Sequence, residues 1–178
     1  MSKKVLILSG SPRKAGNSDI LCSEFLRGAV DAGHEVEKIF VRDKKIGYCQ
    51  ACYACRNTGK CIQHDGMEEV LGKMRWADVI VMASPVYFYS IDAQMKAVID
   101  RTLPQWTNLP DKEFYYIMTA ADEEPEAMDT TLACFRGFAV CLKNAQERGV
   151  ICGNGLYEAG AVKNTPYMQQ AYEMGRGV

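Results

Sequence analysis

Val5-Leu6-Ile7-Leu8-Ser9-Gly10-Ser11-Pro12-Arg13-Lys14-Ala15-Gly16-Asn17-Ser18 passes from an unbroken apolar run, through a loop of serine and glycine, into the start of a helical pattern. Four apolar residues with no polar alternation mark a strand covered on both faces, as in a parallel sheet. Beyond Asn17, the residues Ile20, Leu21, Phe25, Leu26, Ala29 and Val30 fall on one helical stripe that Gly33 ends. A strand buried on both sides and feeding straight into a helix is the opening of a βαβ unit.

The same rhythm continues outward. Val36 to Val41 reads as a second strand. Asp65 with Glu68 makes a capping-box-like start for a helix over Met67 to Trp76, and Val79 to Ala83 reads as a third, buried strand. Ser90 is placed to cap a helix through Met95, Val98 and Ile99 that ends before Pro104. Phe114 to Thr119 is a fourth strand. Leu132, Phe135, Ala139, Leu142 and Ala145 predict a long fourth helix closed by Gly149, Val150 to Leu156 a fifth strand, and Thr165-Pro166 the opening of a last helix to Gly175. Five strands alternating with five helices predict an α/β, doubly wound parallel sheet with helices on both faces. The 178 residues are expected to form one domain. Ligands then belong at the carboxyl ends of the strands.

The first such end is the quoted loop. Backbone N–H groups at a helix start, the Ser9, Ser11 and Ser18 hydroxyls, Arg13, Gly16 and Asn17 together suit an anion. An ordinary strand-to-helix turn would explain the glycines but not the serines, arginine and asparagine as well. The spacing is not that of a nucleoside-triphosphate loop, because five residues separate Gly10 from Gly16 and Asn17 stands where that loop has lysine; Pro12 excludes G-x-G-x-x-G. The third strand runs into Ser84-Pro85-Val86-Tyr87-Phe88-Tyr89-Ser90, whose aromatics offer a flat apolar surface for a planar ligand or a cover for a subunit interface. The two loops side by side suggest a phosphorylated planar ligand.

Composition excludes several classes. A net charge of −1 with 21 basic residues spread along the chain argues against nucleic acid or an anionic membrane as the main partner. Arg42-Asp43-Lys44-Lys45 reads as a solvated face. No apolar run approaches a membrane span, and the first residues lack a signal-peptide pattern, so a cytoplasmic location is expected.

The helical rhythm breaks once, over residues 42–66, a length of loop that is usually functional or disordered. Inside it stand Cys49, Cys52, Cys55 and Cys61, spaced C-x2-C-x2-C-x5-C. In a reducing compartment such a group reads as metal-binding or catalytic before it reads as disulfides. Structural zinc, a redox dithiol and free thiols remain open on spacing alone. Cys22, Cys134, Cys141 and Cys152 read as core residues, His34 and His64 as structural or solvated, and Lys96 with Asp100 as an i, i+4 surface pair.

Ser9-Gly10-Ser11-Pro12-Arg13 with Gly16-Asn17-Ser18, then Ser84-Pro85-Val86-Tyr87, then Met95-Lys96 with Ile99-Asp100-Arg101, resembles the NADPH-dependent FMN reductase and iron–sulfur flavoprotein branch of the flavodoxin-like fold. The resemblance implies a flavodoxin-like five-stranded sheet of order 2-1-3-4-5, and FMN with its phosphate on Ser9, Ser11, Arg13, Gly16, Asn17 and Ser18. It implies the isoalloxazine edge along Pro85, Val86, Tyr87, Phe88 and Tyr89, and Thr119, Ala120 and Ala121 approaching the ring from the other side. The cysteine stretch resembles the compact motif that binds a [4Fe–4S] cluster in iron–sulfur flavoproteins, with Cys49, Cys52, Cys55 and Cys61 as ligands. The ferredoxin run differs, since it ends C-x3-C-P and its fourth cysteine serves a second cluster.

The function expected is an FMN-dependent oxidoreductase that takes electrons from NAD(P)H or an electron-carrier protein and passes them to a small acceptor, with no side chain as acid, base or nucleophile. A homodimer or tetramer is expected. The alternatives are a non-enzymatic doubly wound binding or signalling domain, and a flavoprotein with zinc or free thiols in the cysteine loop.

Overall fold

A computed structural model describes residues 1–178. Its elements are strand β1 (Lys4–Ser9), helix α1 (Asn17–Asp31), β2 (Glu35–Phe40), a single helical turn α2 (Cys55–Thr58), α3 (Met67–Trp76), β3 (Val79–Tyr87), β4 (Ser90–Ile91), α4 (Ala93–Arg101), β5 (Glu113–Thr119), α5 (Asp129–Ala139), β6 (Gln146–Gly153) and α6 (Tyr167–Arg176). The five long strands are parallel and lie in the order β2-β1-β3-β5-β6. This is the expected 2-1-3-4-5 order once the two-residue β4, which pairs antiparallel with the end of β3, is set aside.

Alternate residues of each strand supply two separate cores. Leu6 and Leu8 of β1, Ile80 and Met82 of β3, and Phe114, Tyr116 and Met118 of β5 face α3, α4 and α5. Val5 and Ile7, Val79 and Val81, and Tyr115 and Ile117 face α1 and α6. Each fully buried Leu, Ile, Val or Phe contributes about 1.5–3 kcal/mol, which is why the central strands carry no charged residue between their first residue and their carboxyl ends. Those ends come level: Ser9 pairs with Phe40 and Ala83, and Thr119 with Pro85 and Gly153. The loops that follow β1, β3 and β5 therefore leave one edge of the sheet side by side.

Several boundaries differ from the sequence reading. β3 continues through Pro85, Val86 and Tyr87, so the turn after it is only Phe88-Tyr89. The cap of α4 is Asp92, whose carboxylate accepts from the Met95 N–H, while Ser90 lies in β4. Helix α5 stops at Ala139; Leu142 is buried from a turn, which makes the stripe look longer than the helix. Gly149 lies inside β6 at a register shift, where Arg148 is an extra residue opposite Phe114 and Tyr115. Cys22 is core, Cys134 and Cys152 are partly buried against the core, and Cys141 is exposed. No helix is long and apolar enough to cross a membrane.

Candidate functional site

The loop between β1 and α1 closes on itself through Ser11. Its hydroxyl accepts from the Arg13 N–H at 3.1 Å and donates to the Arg13 carbonyl at 3.0 Å. Gly16, the residue before α1, has extended backbone and no side-chain cap, and a Cβ there would sit 2.8 Å from Ser11 Oγ and 3.1 Å from the Arg13 carbonyl oxygen. The first-turn N–H groups of α1 thus have neither an intrahelical acceptor nor a capping side chain. Ser18, in the same turn, is buried with a hydroxyl that has no partner. Uncapped N–H groups beside an orphaned buried hydroxyl form a cradle that can accept an anion such as a phosphate.

The expected residues divide by position. Ser11, Gly16 and Ser18 line the cradle, and Arg13 is exposed on its rim. Asn17 is committed elsewhere: its amide donates to the carbonyls of Leu156 and Glu158 and accepts from the N–H groups of Gly160 and Val162, tying the loop after β6 to the start of α1. Ser9 lies beneath the loop and donates to Asp19 at 2.9 Å. Burial pushes the Asp19 carboxyl up, but the Lys38 ammonium at 2.6 Å, the Ala15 N–H and the Ser9 hydroxyl outweigh it and hold the group below its ordinary value. Arg42 is a residue the sequence reading assigned to a solvated face; its guanidinium donates to the Pro12 carbonyl at 2.6 Å and so brings a second cation to the loop. Nothing local in the sequence marks that approach, which spans 30 residues.

Beside the cradle, Phe88 and Tyr89 both take left-handed backbone, φ 48° and 60°, as the two central residues of the β3–β4 hairpin. That conformation normally takes glycine or asparagine, and each bulky residue there costs about 1–2 kcal/mol. Phe88 is fully exposed at the tip. Tyr89 donates to Asp122 at 3.0 Å, linking this hairpin to the loop after β5; the bond to that carboxylate raises the Tyr89 phenol. Thr119 and Ala120 are buried at the end of β5, and Ala121 is exposed.

Under the hairpin, Asp92 is completely buried, and burial pushes its carboxyl up to about 6 against the hydrogen bonds from Ser84 and the Met95 N–H. The Ser84 hydroxyl has two acceptors in reach, Asp92 Oδ2 at 2.7 Å and the Pro85 carbonyl at 2.6 Å, for one proton. A proton on Asp92 Oδ2 resolves this competition, since the acid then donates to Ser84 and Ser84 to Pro85.

The cysteine loop is held by its two feet. Arg101 of α4 donates to the Gly47 carbonyl at 2.8 Å, to Gln63 at 3.1 Å and, with both terminal nitrogens, to Asp65 at 2.8 and 3.0 Å. Asp65 also accepts from the N–H groups of Gly47 and Met67. Burial raises the Asp65 carboxyl, but Arg101 and these N–H groups hold it below its ordinary value. Between the feet, Cys49, Cys52, Cys55 and Cys61 all line one concavity. Ala51 and Tyr53, on either side of Cys52, are left-handed at φ 51° and 56°, and the N–H groups of residues 48–54 donate to no protein acceptor. Left-handed and right-handed residues in succession, as at Tyr53 and Ala54, turn consecutive N–H groups toward an anion, a device common around iron–sulfur clusters. Cys55 begins α2, and Gly59, left-handed, ends it and returns the chain to Cys61. No three His, Cys, Asp or Glu side chains are drawn tightly enough together for a single metal ion. A cubane is larger than one ion and is held by thiolates spread around it, and four cysteines lining one concavity are a donor set that suits it.

A doubly wound parallel sheet of order 2-1-3-4-5, with a candidate anion-binding loop between β1 and α1, is the flavodoxin-like architecture. The sequence profile of the NADPH-dependent FMN reductase family matches residues 3–130, and the chain belongs to that family. It is 42% identical over 101 residues to an iron–sulfur flavoprotein of Archaeoglobus fulgidus, covering 57% of this chain and 46% of the relative. It is 43% identical over 101 residues to one of Methanocaldococcus jannaschii, covering 57% and 52%. The chain thus spans about half the length of the curated relatives it matches. Among solved structures, an NAD(P)H:quinone oxidoreductase from Methanothermobacter marburgensis superposes with TM-score 0.79 at 16% identity over 99% of this chain and 96% of the other, a likeness of fold.

Proposed function

We propose that the chain is an FMN-dependent oxidoreductase of the iron–sulfur flavoprotein type, moving electrons between NAD(P)H or a carrier protein and a small acceptor. The observation that carries the flavin reading is the uncapped first turn of α1 with the buried, unpartnered Ser18 hydroxyl. When bound, FMN supplies the change between two-electron and one-electron transfer, and a [4Fe–4S] cluster single-electron transfer. The residues supply binding and orientation. Ser11, Ser18 and the α1 N–H groups hold the phosphate, with Arg13 and Arg42 at its rim. The Phe88-Tyr89 hairpin and the end of β5 confine the ring, and Asp92 and Ser84 hold the hairpin against α4.

Cys49, Cys52, Cys55 and Cys61 would hold the cluster, and the N–H groups of residues 48–54, which have no protein acceptor, would be available to hydrogen-bond it. The printed names of the relatives support this assignment. The exposed hairpin tip at Phe88 supports a second copy of the chain as its cover, in a homodimer or tetramer.

The test is spectroscopic. Protein purified without air and loaded with FMN is mixed with NADPH or NADH. Loss of the flavin absorbance near neutral pH is expected, and a protein that takes up no FMN from micromolar solution overturns the reading.

A further inference from the structure

We propose that Arg101 donates its Nε–H to the sulfur of Cys61 and thereby sets the reduction potential of the iron–sulfur cluster; this rests on the cluster assignment above. Arg101 is 2% exposed. Its terminal nitrogens are taken up by Gly47, Gln63 and Asp65, yet Nε is buried with no partner. A buried N–H without an acceptor is rare in a folded protein and calls for a ligand or a role.

The surroundings of Nε point to the sulfur. Arg101 and Cys61 are shared walls of two neighbouring hollows: the concavity that all four cysteines line, and a cavity of about 150 Å³ bounded also by Lys60, His64, Glu68 and Arg75. Cys61 is the one cysteine that faces both.

A neutral thiol is a weak acceptor, whereas an iron-bound thiolate is a strong one, so metallation gives the orphaned donor its partner. Asp65 neutralises the guanidinium at long range, so the effect on the cluster is local, through one N–H···S bond. Such a bond favours the more negative state. On reduction one electron enters the cluster, no proton moves, and Arg101 is a guanidinium in both states.

The same residue is a clamp on the loop, and the test separates the two roles. Cluster-loaded wild type, Arg101→Lys and Arg101→Met are titrated with dithionite at controlled potential, with FMN in the same sample as an internal reference. Arg101→Met is expected to shift the cluster's reduction equilibrium about tenfold toward the oxidised form, ~59 mV for one electron, with the flavin potential unmoved. Arg101→Lys should recover part of the shift. A pure clamp would lower the amount of cluster bound and leave the potential of the remainder unchanged, and that result overturns the proposal.

If both variants shed the cluster, wild type grown with ¹⁵N-arginine decides by pulsed electron paramagnetic resonance of the reduced cluster. A ¹⁵N coupling supports the bond and its absence refutes it. Wild type that binds no iron would instead overturn the cluster assignment itself.

Discussion

Replacing Ser18 by alanine should move the stability of the empty protein and its affinity for FMN in opposite directions. In the folded chain the Ser18 hydroxyl is buried and unpartnered. An unsatisfied buried polar group costs about 1–3 kcal/mol, so its removal should stabilise the FMN-free protein, with about 1 kcal/mol raising Tm by roughly 2–4 °C in a chain of this size. A phosphate oxygen in the cradle makes that hydroxyl a donor to a charged acceptor. Losing such a bond costs about 1.5–3 kcal/mol, or roughly ten- to a hundredfold in Kd. The assay pairs thermal unfolding of FMN-free protein with titrations by FMN and by riboflavin, which lacks the phosphate. Weaker FMN binding, unchanged riboflavin binding and a higher Tm are expected together. Equal losses for FMN and riboflavin, or no loss for either, would refute the placement of the phosphate at α1.

Gly175→Ala should destabilise the protein by about 1–3 kcal/mol, because the new Cβ would overlap the Phe25 carbonyl where α1 and α6 cross, and Gly28 meets the Tyr172 carbonyl from the other side; an unchanged midpoint in urea would show that the helices separate freely. Asp92 gives a pH dependence of known sign. Its folded pKa of about 6 lies above the ordinary 3.8, so the folded state binds more protons between these values and loses this stabilisation as pH rises through about 6. Relative to Asp92→Asn, wild type should gain about 2 kcal/mol between pH 7 and pH 4.5, and parallel stability curves for the two proteins would contradict it. Phe88→Ser should shift the solution mass toward the monomer; a wild type already monomeric at micromolar concentration argues against a second copy covering the hairpin.

The sheet was legible because its evidence is local. Val5 to Leu8, Val79 to Ala83 and Phe114 to Thr119 are apolar runs bounded by small or polar residues, and burial on both faces leaves no other reading. Serines and glycines placed directly before the α1 stripe mark the loop proposed to hold the phosphate in the same way. What escaped the sequence depends on tertiary partners. Leu142 continues the α5 stripe although it packs from a turn, and Gly149 looks like a helix stop although it is the bulge of a strand. Ser90 and Asp92 are both capable caps, and only the meeting of Asp92 with Ser84 selects the second. The clamp of Arg101 on Asp65 and Gly47 joins residues 36 and 54 positions apart, with no periodicity to reveal it. The cysteine spacing was plain, but the left-handed Ala51 and Tyr53 were not, because alanine and tyrosine carry no preference for that backbone.

The central claim, one flavin and one cluster on the same chain, is tested most directly by composition after anaerobic reconstitution with FMN, iron and sulfide. The account predicts about one FMN with four iron and four sulfide per chain, and loss of the iron but not the FMN when Cys52 and Cys55 are both replaced by serine. Full iron incorporation into that double variant, or a flavin-loaded wild type with no iron, would contradict it.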